Sequence, residues 1–202
     1  PLLHGPARPI IVGGTGLYLR ALTEGLAEIP PVPAEIRAEA DARLAAEGAA
    51  ALLAEIDAET ASRIDRRNPA RVQRAWEVAR ATGRGLAAWQ DGTGAPLLPA
   101  GRATLVVLDA ERDWLADRID RRFEAMVRTG ALDEVRAALA DWDPKALWAK
   151  AIGAPELVAH LRGEWTLAEA VSAAQASSRQ YAKRQRSWFR GRMRGWTWLR
   201  AA

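Results

Sequence analysis

Pro9-Ile10-Ile11-Val12-Gly13-Gly14-Thr15-Gly16-Leu17-Tyr18, or PIIVGGTGLY, is a short apolar run that meets three glycines around one threonine and then an apolar helix start. The run predicts a strand. Glycines between a strand and a helix let backbone N–H groups approach a phosphate or a nucleotide backbone, while the helix N-terminus adds partial positive charge. The plainer alternative is a tight strand-to-helix turn in which the glycines only solve geometry and Thr15 caps the helix. The turn is not a Walker A loop, because G-x-x-x-x-G-K-[ST] occurs nowhere in the chain.

A second strand is expected at TLVVLD, residues 104–109. Both runs are apolar along their length, as strands buried on two faces of a parallel sheet would be. Two strands do not make such a sheet, and the first residue is Pro1 rather than Met. The expectation is therefore a piece of a longer α/β protein whose N-terminal part is missing, with exposed strand edges and poor solubility as the consequence.

With 202 residues, 49% of them hydrophobic and 27% charged, the chain lies in the ordinary globular range. No apolar run approaches the span of a bilayer. There is no cysteine, and the histidines are His4 and His160, so disulfides, thiolate sites and histidine-built metal sites are set aside. The chemistry is left to Thr, Arg, Lys, Asp and Glu. The net charge of +4 is unevenly spread: Arg179 to Arg200 holds eight basic residues and no acid. A polyanionic partner follows from that run.

Leu17 to Gly25 predicts a short helix ended by glycine, and EIPPVP at 28–33 a stiff extended connector. Ile36, Ala40 and Leu44 recur every fourth residue, an apolar helical stripe with Arg37 and Arg43 beside it. In NPARVQRAWEVARATG, residues 68–83, Asn68 reads as the N-cap, Pro69 as the first helical residue and Gly83 as the stop. Val72, Trp76 and Ala79 form its inner stripe. A turn-rich stretch at 91–101 then leads to the second strand. Leu115, Ile119, Phe123 and Met126 mark a further helix that stops at Gly130. TLAE at 166–169 is a capping box opening a long helix toward Phe189, with Leu167, Val171, Ala174, Tyr181 and Trp188 inward. The fold expected is α/β: a parallel-sheet core from residues 1–29 and 101–202, with residues 30–100 as an inserted all-helical domain.

Arg118 and Arg122, one helical turn apart, either clamp a diphosphate in bidentate fashion or form a solvated face. RQYAKRQRSWFRGRMRGWTW at 179–198 interleaves basic and aromatic side chains, which suits phosphate contact with base stacking. The alternative is a helix with an apolar inner face and an arginine-rich outer one.

Four stretches in order resemble one family, the tRNA dimethylallyltransferases, also called tRNA isopentenyltransferases. They are PIIVGGTGLYLRALTEGLAEIPPVPAEIR, NPARVQRAWEV, FEAMVRTGALDEV with KAIGAPEL, and YAKRQRSWFR. The resemblance implies a P-loop NTPase-like core with an inserted helical tRNA-binding domain. It implies transfer of a dimethylallyl group from dimethylallyl diphosphate to the exocyclic amine of the adenosine 3′-adjacent to the anticodon in tRNA, assisted by Mg²⁺. It further implies a cytoplasmic, monomeric protein with no membrane partner.

Residue by residue, the resemblance makes Thr15 the catalytic threonine lining the reaction channel. Gly13, Gly14, Arg118 and Arg122 are the diphosphate-binding residues. Arg37 is a tRNA contact, as is the stretch Ala70, Arg71, Val72, Gln73 and Arg74, where Ala70 and Val72 contribute position rather than charge. Lys150, at the head of KAIGAPEL, is assigned to tRNA as well. So is the helix segment Lys183, Arg184, Gln185, Arg186, Ser187, Trp188, Phe189 and Arg190. The family's G-x-T-x-x-G-K-[ST] loop and D-S-x-Q segment, with its general-base aspartate, are absent from this sequence, and Ala154 and Pro155 stand where the family has a G-Y-R ending. The 202 residues alone are therefore expected to be inactive. The alternative function is a non-catalytic tRNA- or RNA-binding module.

Overall fold

Local signals decide most of the helix boundaries in the computed structural model, which describes residues 8–201; Pro1 and His4 lie outside them. The chain divides into two units, one built mainly from Leu17–Ala103 and one from Val12–Gly16 with Thr104–Ala202.

The first unit is helical. Helix α1, Gly16–Glu24, ends at Gly25, whose φ of 87° is the left-handed conformation that glycine accepts without strain. After the extended connector come α2 (Ala34–Glu47), α3 (Ala49–Ala54), α4 (Ala58–Arg63), α5 (Pro69–Thr82) and α6 (Leu86–Asp91). Asn68 accepts the Arg71 N–H, Pro69 occupies the first turn and Gly83 is left-handed, so α5 begins and ends where its caps require. The α5 stripe of Val72, Ala75 and Trp76 closes on Ala40 of α2 and Leu52 of α3 as the unit's core. Trp76 also donates its indole N–H to Glu55 at 2.7 Å, and Arg43 bridges Glu47 and Glu55 across the outside of that core.

The second unit carries the sheet. Strand β1, Val106–Ala110, pairs in parallel with β2, Thr197–Ala201, in the register Val106 to Thr197 through Ala110 to Ala201. Between them lie α7 (Arg112–Met126), α8 (Leu132–Ala138), α9 (Ala154–Leu161) and α10 (Leu167–Arg192). A wide turn over Val127–Ala131, with Gly130 at φ 122°, breaks α7 from α8. Thr166 and Glu169 form the reciprocal capping box of α10. The alanines Ala170 and Ala174 let α10 lie close against Phe123 of α7 and Leu157 of α9.

Three expectations need correction. Residues 9–12 form no strand among the described residues: Ile10 and Val12 are 87% exposed, because a strand is held by a neighbour's backbone and none is offered there. The second apolar run is not buried on both faces, since Val107 is buried while Leu108 is 69% exposed; a run of apolar residues reads alike for one covered face or two. Met126 and Tyr181, expected inward, are 38% and 42% exposed. Strand β2 was not expected at all, because its residues lie inside the basic aromatic stretch. No helix among the described residues is long and apolar enough to cross a membrane.

Candidate functional site

The glycine turn docks on α10. Gln185 donates its side-chain amide to the Gly14 carbonyl at 2.9 Å, and Gly16 is buried against the Trp188 ring. A Cβ on Gly14 would stand 2.4 Å from Gln185 Nε2, and one on Gly16 would stand 2.0 Å from Trp188 Cζ3. Gly13 has open space around it. Neither Gly14 nor Gly16 has a positive φ, so close approach rather than unusual backbone favours glycine there, most strictly at Gly16 against the Trp188 ring. Thr15 lies exposed between them. The turn and the basic helix, read separately in the sequence, are thus one surface.

Beside that surface, a cavity of about 530 Å³ opens among β1, α7 and α10. Arg122, Asp109, Gln185 and Arg186 are part of its polar lining, and Ile119, Phe123 and Phe189 part of its apolar wall. Arg186 and Arg190 reach the two carboxylate oxygens of Asp109 at 3.3 and 3.6 Å. Arg186 Nε is buried without a hydrogen-bond partner among the described residues, a donor whose desolvation goes uncompensated until an acceptor arrives. Two guanidinium groups on one carboxylate leave net positive charge at the cavity edge. Glu111 caps α7, and the Trp114 backbone N–H holds its carboxyl below the usual range, with those of Asp113 and Arg112 and the charge of Arg186 adding less.

The basic run is therefore not uncompensated, as the sequence suggested: besides Asp109, Asp120 of α7 pairs with Arg179. The acids come from elsewhere in the chain and are invisible in the run itself. Lys183 and Arg184 remain exposed, with Arg184 over the Tyr181 ring at 5.8 Å. Ser187 is exposed, whereas Trp188 and Phe189 are half-buried and meet edge to face at 6.0 Å. Of the arginine pair on α7, Arg122 lines the cavity while Arg118 stacks on the Trp114 ring at 4.9 Å and does not line it.

The remaining predicted contacts belong to other elements. Arg37 is exposed on α2, and Ala70 and Arg71 are exposed in the first turn of α5. Arg74 is half-buried and 3.8 Å from the buried Glu77. Gln73 spends its amide on Asp41 at 2.6 Å and Glu77 at 3.0 Å. Val72 is wholly buried, so it presents no surface to any ligand: it belongs to the core stripe of α5. Lys150 is exposed at the end of a short turn before α9, and Ala154 and Pro155 form the first turn of α9 behind the left-handed Gly153. Sequence reading missed Asp109; its position at the carboxyl end of a parallel strand, where α/β folds bind ligands, was the available signal. Among the described residues, no group of three or more His, Cys, Asp or Glu is gathered to hold a metal ion.

Residues 3–192 match the family model described as IPP transferase. A tRNA dimethylallyltransferase of Cereibacter sphaeroides (strain ATCC 17025) is 65% identical over 199 residues, covering 98% of this chain and 68% of the relative. One from Dinoroseobacter shibae is 63% identical over 199 residues, covering 98% and 67%. The crystal structure of a tRNA isopentenylpyrophosphate transferase from Bacillus halodurans is similar with a TM-score of 0.54 and 32% identity, over 92% of this chain and 57% of that one. The chain thus spans between 57% and 68% of the length of these three proteins.

Proposed function

Because this chain belongs to the IPP transferase family, we propose that it serves transfer of a dimethylallyl group from dimethylallyl diphosphate to the exocyclic amine of the adenosine 3′-adjacent to the anticodon in tRNA. The observation that carries this reading is the docking of the Thr15 turn, through Gln185 and Trp188, on α10, the helix that bears the basic run. An allylic diphosphate ionises readily once its negative charge is neutralised, so the protein's work is to hold the diphosphate, align the amine and exclude water. Thr15 presents a hydroxyl at the turn. Arg122 and Arg186 bring positive charge to a cavity whose remaining wall is partly apolar, which suits a donor with an anionic head and a hydrocarbon tail. Exposed Lys183 and Arg184 grip tRNA phosphates, and Arg37 and Arg71 do the same from the helical unit.

The packing of α2, α3 and α5 around their own core supports residues 30–100 as an inserted tRNA-binding domain. Mg²⁺ would enter with the diphosphate and offset part of its negative charge. The phosphate-binding loop and aspartate base of the family are not among these 202 residues, so this chain by itself binds tRNA without transferring the prenyl group. Incubating it with tRNA, Mg²⁺ and labelled dimethylallyl diphosphate, beside the complete product of its gene, tests both statements. Label in tRNA with the complete product alone is the expected result. If neither transfers label while both bind tRNA with salt-sensitive affinity, a non-catalytic RNA-binding module replaces the transferase.

A further inference from the structure

We propose that Gln185 is a positioning residue for Thr15, acting through the backbone of the glycine turn. The inference rests on the transfer reading and deepens it. The hydrogen bond from Gln185 to the Gly14 carbonyl joins residues 171 positions apart. A carbonyl oxygen only accepts, so the Gln185 group facing it is the amide NH₂. Three residues further along α10, Trp188 lies on the same helical stripe and meets Gly16. Thr15 is therefore pinned on both sides, by an amide on the residue before and an aromatic ring against the residue after.

Its own side chain stays exposed. With the flanking backbone held, the hydroxyl keeps a single freedom, rotation about χ1, and threonine's β-branching restricts that too. A reacting group held this way is pre-aligned, and misplacement by about 1 Å costs on the order of 10²-fold in rate. Grouping Gln185 with the tRNA contacts of the Lys183 to Arg190 segment makes a different demand. A tRNA contact acts on affinity for tRNA, whereas a positioning residue acts on turnover.

Gln185→Glu separates the two roles, since it is isosteric but places an acceptor against an acceptor. Gln185→Leu removes the donor without adding charge and repeats the comparison if the carboxylate perturbs folding. Both are measured in the complete gene product by kcat and KM for tRNA in prenyl transfer. The expected result is a kcat lower by about tenfold or more while KM for tRNA stays within about twofold. A raised KM with unchanged kcat would make Gln185 a tRNA contact and overturn the proposal, as would variants that match the wild type throughout. A wild type that transfers nothing sinks the transfer reading, and this role with it.

Discussion

Gly13, Gly14 and Gly16 stand within four residues and answer to different constraints. Gly16 gives way to the Trp188 ring, Gly14 to the Gln185 amide, and Gly13 to nothing within 4 Å. Gly16→Ala forces a Cβ into a half-buried indole and is expected to destabilise the unit holding α10 by about 1–3 kcal/mol. Gly13→Ala should stay within about 0.5 kcal/mol of the parent. Denaturant titration of both variants checks the contrast, and equal losses would refute the packing account. Glu55 makes a residue-scale prediction of another kind. Hydrogen bonds from Arg43 first and Trp76 second lower its pKa from an ordinary 4.5 to about 2. The folded state therefore holds the proton less tightly than the unfolded one, and the stabilisation is fully present above pH 4.5 and lost as pH falls toward 2. Glu55→Gln should flatten acid-induced loss of stability across that window, measured by thermal unfolding at stepped pH; an unchanged profile would show that the pair contributes nothing there.

At the scale of elements, the helix ends most clearly announced in the sequence are the ones the structure builds. Asn68 with Pro69 and Thr166 with Glu169 are caps made within four residues, so nothing distant can relocate them. Removing either N-cap by Asn68→Ala or Thr166→Ala should cost about 1 kcal/mol, read as a lowered unfolding midpoint; Lys145→Ala, at an exposed position, serves as the control. The strands were harder to read for the opposite reason. Strand β2 exists because β1 offers it a backbone ladder, and its local composition of arginine and tryptophan points to a basic tail. The run at residues 9–12 has strand composition and no partner among the described residues. Pairing decides strands, and pairing is non-local. The same holds for the candidate site: Thr15, Arg122 and the basic helix are legible as residue types, whereas Asp109 between Arg186 and Arg190, and Gln185 on Gly14, depend on contacts between residues far apart in the sequence.

For the whole molecule, the proposed function asks an anionic polymer and an anionic donor to meet at the same basic helix. Charge alone is a poor guide, since Arg179, Arg186 and Arg190 already face carboxylates while Lys183 and Arg184 are exposed. Replacing Lys183 and Arg184 together by alanine should weaken tRNA binding and lower the slope of log affinity against log salt by about two, one for each phosphate no longer neutralised. Filter binding across a salt series measures it, and an unaltered slope would remove these residues from the interface. Under the proposed function, prenyl transfer takes place at the Thr15 turn on α10. Single-turnover transfer from labelled dimethylallyl diphosphate to tRNA, compared between the complete gene product and its Thr15→Val variant, tests it most directly. Valine keeps the β-branch and removes the hydroxyl. A rate lower by about 10²-fold or more with tRNA affinity unchanged is the predicted result; equal rates in the two proteins would contradict the account.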